Sequence, residues 1–501
     1  MQKLWVLVAI QATVAAASLV VEIVAGRMLA PYVGMSLYTW TSVIAVVLAG
    51  FSVGHWIGGR IAEWPPEKAL RANGWAMLAA SLTTAGAVFI LRGFSGPIVT
   101  AFPNPVVSIV LLTALVFFLP SMFAGIPAPI LSMIAVLRHP DRRGRALGAM
   151  FAAGAWGAIL GTLAAGFVFI SWLGSTGTLA IVAGVYALLG LQSLVAAGGI
   201  RGLVIAGAGL ILPLGMTIGA LSLPDPCTVE SDYFCIRVID VSQNPDAPQR
   251  FMVLDHLAHG GADRNDPSAM MTPHAMMLDG LARMRMQDRT SWSAYLIGGG
   301  SYSLPRAWRA LGAPARVTVA EVDPAVTEVA IGSFWYERGS DRVIHADARQ
   351  LLLREDTTYD VVVGDAFSDI AVPQHLITRE FFELVNARLN TDGVYLMNII
   401  DHNDSLEVLT SMIATARAVW PVVEVWADPA HDPGENRRVF VMVAGHEASQ
   451  STQIDHMGPI PMSAIRVAAS SIDQLMQSRD PLVFTDDYAP IDRLLGDQGE
   501  G

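Results

Sequence analysis

The sequence predicts an α-helical membrane region of several passes, followed by a doubly wound α/β domain of the nucleotide-binding type. Two observations predict it. Apolar residues make up 53% of the 501 positions and charged residues only 15%, and the apolar excess lies before about residue 222, a composition unlike that of a soluble chain. Beyond it, Ala294-Tyr295-Leu296-Ile297-Gly298-Gly299-Gly300 is an apolar run ending in three glycines, the pattern of a buried parallel strand breaking into a loop where backbone can approach a ligand.

Charge divides at the same place. Up to residue 222 there are 11 Lys and Arg and 4 Asp and Glu, out of 32 and 44 in the chain, so the remainder is strongly acidic. Such a surface repels nucleic acid and suits cationic ligands, although a solvated acidic face, the commoner case, accounts for the charge without any ligand.

Trp5 to about Ala25 lacks a cleavage-site pattern and is followed by similar segments, so it reads as a membrane span. Further spans are expected over 38–58, 72–92, 104–137, 146–172, 177–197 and 202–222, about seven in a transmembrane domain of residues 1–222. The segment 104–137 would be about 50 Å long as one helix, too long for a bilayer core of about 30 Å. Pro120, Gly125, Pro127 and Pro129 suggest that it is broken or re-entrant. Ala153, Gly157, Gly161 and Ala165 recur every four residues and predict close helix packing within the bundle. Positive charge at Arg60, Lys68 and Arg71, and again at Arg138, Arg142, Arg143 and Arg145, places those loops and the N-terminus on the cytoplasmic side. An odd number of spans then puts the acidic domain outside and an even number inside. A multi-pass protein of the cell (inner) membrane follows, with the side of that domain open.

Glu22 lies within the first span and Arg27 near its end. A carboxylate at that depth marks a functional site or an ion pair, with Arg27 or His55 as partner. Cys227 and Cys235 follow the last span; they form no metal site without His partners, and both a disulfide and two thiols fit. No metal is expected.

After Leu223-Pro224-Asp225-Pro226, Tyr233 to Val241 and Arg250 to Asp255 read as a β hairpin within a small β region, 223–290, and Met270 to Met286 as a helix. Residues 291–501 then form the nucleotide-binding domain with a C-terminal extension. After the glycine run come helical spacing from Leu304 to Leu311 and a strand, Val317 to Asp323, with Glu321 near its end. Strands over Val343 to Ala348 and Tyr359 to Ala366 bring Asp347 and Asp365. Glu321, Asp347 and Asp365 thus stand at the carboxyl ends of three successive strands, the edge where open α/β sheets bind ligands. Glu321 lies 23 positions after Gly298, the distance at which an acid meets ribose hydroxyls.

These residues carry a family resemblance. Ile297-Gly298-Gly299-Gly300, Glu321-Val322-Asp323, Asp347-Ala348, Asp365-Ala366 and His375-Leu376-Ile377-Thr378-Arg379-Glu380-Phe381-Phe382 make the stretch from about Glu230 to Gly445 resemble the spermidine synthase (polyamine aminopropyltransferase) family. The whole chain is similar to its membrane-fused relatives, described as fused transporter/spermidine-synthase proteins. The resemblance implies an α/β Rossmann-like, class I methyltransferase-like domain behind a small β region. It implies Asp365 as catalytic carboxylate, Glu321 on the ribose, Asp347 near the adenine amino group and Gly298, Gly299 and Gly300 along the sulfonium side chain. Asp255 matches a Leu-Asp motif lining the site, and His259 stands where soluble enzymes have a cofactor-contacting glutamine. His274 is what remains of a Tyr-His-Glu signature, and Asp369, Asp486 and Asp487 are candidate amine ligands.

The departures matter as much. Ser301-Tyr302-Ser303 follows the glycines where relatives have Asp-Gly-Gly, so an acid that holds the aminopropyl amine is missing. Asp369 lies four residues after Asp365, where three is usual. Three readings follow. One is transfer of an aminopropyl or similar group from decarboxylated S-adenosylmethionine or a like sulfonium donor to an amine or polyamine. Another is methyl transfer from S-adenosylmethionine. The third is a non-catalytic membrane sensor or transporter with a degenerate synthase-like domain. The sequence leaves the acceptor and the oligomeric state open, a homo-oligomer included, and no nucleic acid partner is expected.

Overall fold

The computed structural model describes residues 3–102, 104–367, 371–430, 436–456 and 462–496. It divides into two compact units, Met1–Cys235 and Ile236–Gly501.

The first unit is helical. Its elements are α1 (Leu4–Val33), α2 (Leu37–Ala62), α3 (Pro66–Ala101), α4 (Pro105–Gly125), α5 (Pro127–Arg138), a 3-10 turn at Pro140–Arg142, α6 (Arg143–Ala164), a π-helical turn at Ala165–Phe169, α7 (Ile170–Ser222) and a short strand β1 (Val229–Glu230). Among the described residues, six helices are long and apolar enough to cross a membrane. The sequence suggests seven. The difference arises because 146–172 and 177–197 lie in one helical run, Pro140–Gly198. That run is not straight. A Cβ on Gly161 would lie 2.3 Å from the Ala16 carbonyl oxygen, while the Tyr186 hydroxyl is 3.1 Å from Ser18 Oγ. Residues 161 and 186 would be about 37 Å apart in a straight helix, so the chain turns back between them, at Gly174 with φ +66°. A second reversal follows: a Cβ on Gly202 would lie 2.3 Å from the Leu194 carbonyl oxygen, although eight residues of straight helix span about 12 Å.

The break expected in 104–137 falls at Ile126, between α4 and α5. Pro127 and Pro129 remove two N–H groups there, so the helical ladder cannot continue. Glycine stripes draw the helices together. Gly50, Gly54 and Gly58 of α2 meet Ser121, Met122 and Ile126, and Gly157 and Gly161 of α6 meet Ala12 and Ala16 of α1. Arg27 donates to the carbonyls of Tyr233 and Ser231, so the expected pairing with Glu22 is replaced by one with the strap that follows α7. Glu22 is half-buried and His55 exposed. Arg92 donates to Pro224 O at 2.6 Å, and Glu230 accepts from Ser175 N at 2.8 Å and from the Ser175 hydroxyl. Cys227 and Cys235 are joined as a disulfide.

The second unit holds two sheets. Strands β2 (Cys235–Asp240), β3 (Gln249–Leu254) and β4 (Leu257–Asp263) form an antiparallel meander; the first two are the expected hairpin. Then come α8 (Pro273–Met286), β5 (Trp292–Ile297), α9 (Ser303–Ala310), β6 (Ala315–Glu321), α10 (Pro324–Ser333), β7 (Arg342–His345), α11 (Ala348–Arg354), β8 (Tyr359–Gly364), α12 (Arg379–Ala387), β9 (Leu389–His402), α13 (Glu407–Arg417), β10 (Val422–Ala427), β11 (Arg437–Gly445), β12 (Gln453–His456), β13 (Met462–Arg466), α14 (Ala469–Gln477) and α15 (Ile491–Gly496). The nine-stranded sheet has the order β12-β13-β10-β11-β9-β8-β5-β6-β7. Strands β7, β6, β5, β8 and β9 are parallel, and β11 pairs antiparallel with β9 and β10. This is a Rossmann-like sheet whose winding reverses between β5 and β8, where such sheets open a crevice at their carboxyl ends. Tyr295, Val362, Met397, Phe381, Phe382 and Trp420 fill the core on one face. Continuous apolar runs in β5 and β8 reflect burial on both faces.

Candidate active site

The reversal of winding places the ends of β5 and β8 side by side, and Gly298, Gly299, Asp365, His259 and His274 gather there. Gly298 takes φ +90° and Gly300 φ +51°, conformations that favour glycine. A Cβ on Gly298 would come within 2.8 Å of Asp365 O, and one on Gly299 within 2.4 Å of the Tyr302 ring, so the loop needs glycine for its own packing. Glu321, at the end of β6, is buried at 5% exposure. Its Oε2 accepts from Gly299 N at 2.8 Å and its Oε1 from Asp323 N at 2.9 Å. Burial raises its carboxyl above the ordinary value, against the backbone donors that favour the charge. Glu321 therefore braces the glycine loop.

Asp365 stands at the end of β8. Its Oδ1 accepts from Asn398 Nδ2 at 2.8 Å, and its Oδ2 lies 3.9 Å from His274 Nε2. His274 opens α8 and also lies 3.2 Å from Thr272 Oγ1. His259, His274, Gly298, Gly299, Ser301 and Asp365 line one pocket. His259 sits on β4, with Nδ1 2.9 Å from Leu257 O, and its ring meets Phe367 edge-on at 6.4 Å. Burial pushes its imidazole below the ordinary value, with Leu257 and Asp365 pulling the other way. Sequence reasoning missed β4, because Leu-Ala-His-Gly-Gly-Ala-Asp lacks the apolar alternation of a strand. It also missed Asn398, for which a signal existed: a lone amide within the apolar run Val394 to Ile400.

The other candidates lie elsewhere in the unit. Asp347 caps α11 by accepting from Gln350 N at 2.8 Å, and its Oδ2 takes a 2.7 Å hydrogen bond from His375 Nε2. Asp486 is clasped by Arg349 at 2.7 and 2.6 Å and accepts from Thr378 Oγ1 at 2.7 Å. Arg349 also donates to His375 O at 3.0 Å, so Asp347 and Asp486 share one polar cluster. Hydrogen bonds from Arg349 hold the Asp486 carboxyl below its ordinary value. Asp487 is exposed. Asp255 is buried in the turn between β3 and β4 at φ +54°, where its carbonyl accepts from Arg237. Asp369 lies outside the described residues. Among the described residues no group of His, Cys, Asp and Glu could hold a metal ion.

Comparison with known proteins bears on the same unit. Residues 281–446 match the spermine/spermidine synthase domain. A polyamine aminopropyltransferase of Vibrio vulnificus is 32% identical over 107 residues, 21% of this chain and 36% of its own length. The chain thus spans about a third of that relative. A protein of Streptomyces coelicolor named polyamine aminopropyltransferase 2 is 26% identical over 420 residues, 76% of this chain and 71% of its own, a match that must reach into the helical unit. A solved structure, a probable spermidine synthase from Corynebacterium glutamicum, is 22% identical with a TM-score of 0.45, covering 54% of this chain and 99% of that one. The chain therefore carries a spermine/spermidine synthase domain, and polyamine aminopropyltransferases are among its homologues.

Proposed function

We propose that the chain is a membrane-anchored transferase that moves an aminopropyl or similar alkyl group from an adenosyl-sulfonium donor to an amine. The observation that carries this reading is Asp365 held at the reversal of winding, oriented by Asn398 at 2.8 Å, with His274 3.9 Å away and the glycine loop beside it. The chemistry needs such a carboxylate. An amine is protonated near neutral pH and must lose a proton before its lone pair attacks carbon. As the new C–N bond forms the C–S bond breaks, and its electron pair leaves with sulfur as a neutral thioether. A negative group beside the attacking nitrogen favours the cation that arrives and forms there. Glu321, Gly298, Gly299 and Gly300 are assigned to the adenosyl part, with Asp347 toward its base. The six long apolar helices support the membrane anchor.

The test is release of methylthioadenosine by the purified full chain in detergent, given decarboxylated S-adenosylmethionine and a panel of amines. Turnover is expected, with Asp365→Asn lowering kcat at least 100-fold while methylthioadenosine binding persists. No release with any amine would sink the reading. A second reading, methyl transfer from intact S-adenosylmethionine, is favoured by one departure: Ser301-Tyr302-Ser303 supplies no acid for an aminopropyl ammonium. Preference for the intact donor, with a methylated product, would select it.

A further inference from the structure

The pocket beside Asp365 contains a polar atom that the assignments above leave unused. His259 Nε2 is shielded from solvent and has no hydrogen-bond partner among the described residues. Its other nitrogen fixes the tautomer. Nδ1 lies 2.9 Å from the Leu257 carbonyl oxygen, which can only accept, so Nδ1 carries the proton and Nε2 presents a bare lone pair. A buried acceptor without a donor is costly unless a ligand supplies one.

We propose that His259 is the proton acceptor for the amine in this pocket, resting on the transfer reading above. Nε2 takes a proton from the incoming ammonium, R–NH3+. The free R–NH2 then attacks the carbon bound to sulfur, and the C–S bond breaks with its electrons going to sulfur. The products are a secondary ammonium, a neutral thioether and an imidazolium, so the two positive charges that enter are the two that leave.

The surroundings fit this step. Asp365 lines the same pocket and its charge favours the imidazolium; His274 opposes it, and His256, on the same hairpin, feels it too. His256 is itself pushed down to about 4, chiefly by burial, so it stays neutral and competes little. Burial likewise disfavours the charged form of His259 before the amine arrives. Glutamine could accept a hydrogen bond at this position but could not take a proton. That contrast gives the test.

His259→Gln is made in the full chain, and methylthioadenosine binding is measured first to show that the pocket is intact. The expected result is unchanged binding, kcat lowered about 100-fold or more, and loss of the acid-side limb of the kcat/KM profile. A variant with wild-type kcat and the same acid limb would overturn the inference and leave the transfer reading standing. Absence of turnover by the wild type would remove both. Should the variant fail to bind methylthioadenosine, nitrogen NMR of 15N-histidine-labelled wild type decides instead, with putrescine as probe. A Nδ1–H tautomer of His259 whose Nε2 signal moves on adding putrescine supports the inference, and a Nε2–H tautomer or an unmoved signal overturns it.

Discussion

Asn398 shows how much one side chain can carry. It is the donor that fixes Asp365 Oδ1, yet it sits within the apolar run Val394 to Ile400 of a buried strand. Asn398→Ala is expected to leave the fold and methylthioadenosine binding intact and to lower kcat about tenfold, the equivalent of roughly 1.4 kcal/mol for a hydrogen bond to a charged group. An unchanged kcat would show that Asp365 needs no orientation. Asp360, at the other end of β8, plays a structural counterpart. Burial alone would raise its carboxyl, but hydrogen bonds from Asn390 and Ser293, with Arg289 nearby, outweigh it and hold the value below the ordinary one. A depressed carboxylate adds stability above its unfolded pKa and loses it as pH falls through the folded one. Asp360→Asn should therefore cost about 1.5–3 kcal/mol at neutral pH and flatten the loss of stability below about pH 4. Melting curves of the two proteins at pH 7 and pH 4 check both parts.

Elements were legible where one physical rule dominated. Acids at strand ends could be read because continuous apolar runs mark strands buried on both faces, and polar residues reappear only where the strand leaves the sheet. Strand β4 was not legible, since His259 and Gly260 serve contacts with the Gly300 loop: a Cβ on Gly260 would lie 2.4 Å from Ser301 Oγ, and one on Gly300 2.9 Å from His259 O. Likewise Arg27 faces carbonyls more than 200 residues away along the chain, a partnership that no local pattern announces. The four-residue spacing of Gly157 and Gly161 did announce close packing, and the spacing Gly50, Gly54, Gly58 obeys the same rule. Gly157→Val would drive a side chain into Ala12, where even a Cβ lies 2.1 Å from backbone oxygen. The α1–α6 pair should then open, with a marked drop in thermal stability in detergent, whereas Gly148→Ala, with nothing within 4 Å of its Cβ, should be neutral. Equal melting temperatures for the two variants would contradict the packing.

At the scale of the whole chain the question is parity. Among the described residues six helices are long and apolar enough to cross a membrane, but the reversal at Gly174 divides one of them, so a path through a membrane would make seven passes. Lys3, Arg60, Lys68, Arg71, Arg138, Arg142, Arg143 and Arg145 fall at one set of helix ends, which the positive-inside rule assigns to the cytoplasm. Arg27, Arg92, Ser175 and the strap with Cys227 and Cys235 gather at the other, and a disulfide there suits an oxidising compartment. The expected outcome is that alkaline phosphatase fused to the C-terminus of the full chain is active in cells and that the two cysteines resist maleimide until reduced. An inactive phosphatase with freely labelled cysteines would reverse the assignment. The positive φ of Gly174 then has a consequence for supply. On the proposed transfer reading, a domain placed outside would draw on what the cell releases, so its flux would follow the export of a sulfonium donor and the amines of the surroundings, and cytoplasmic pools would set neither.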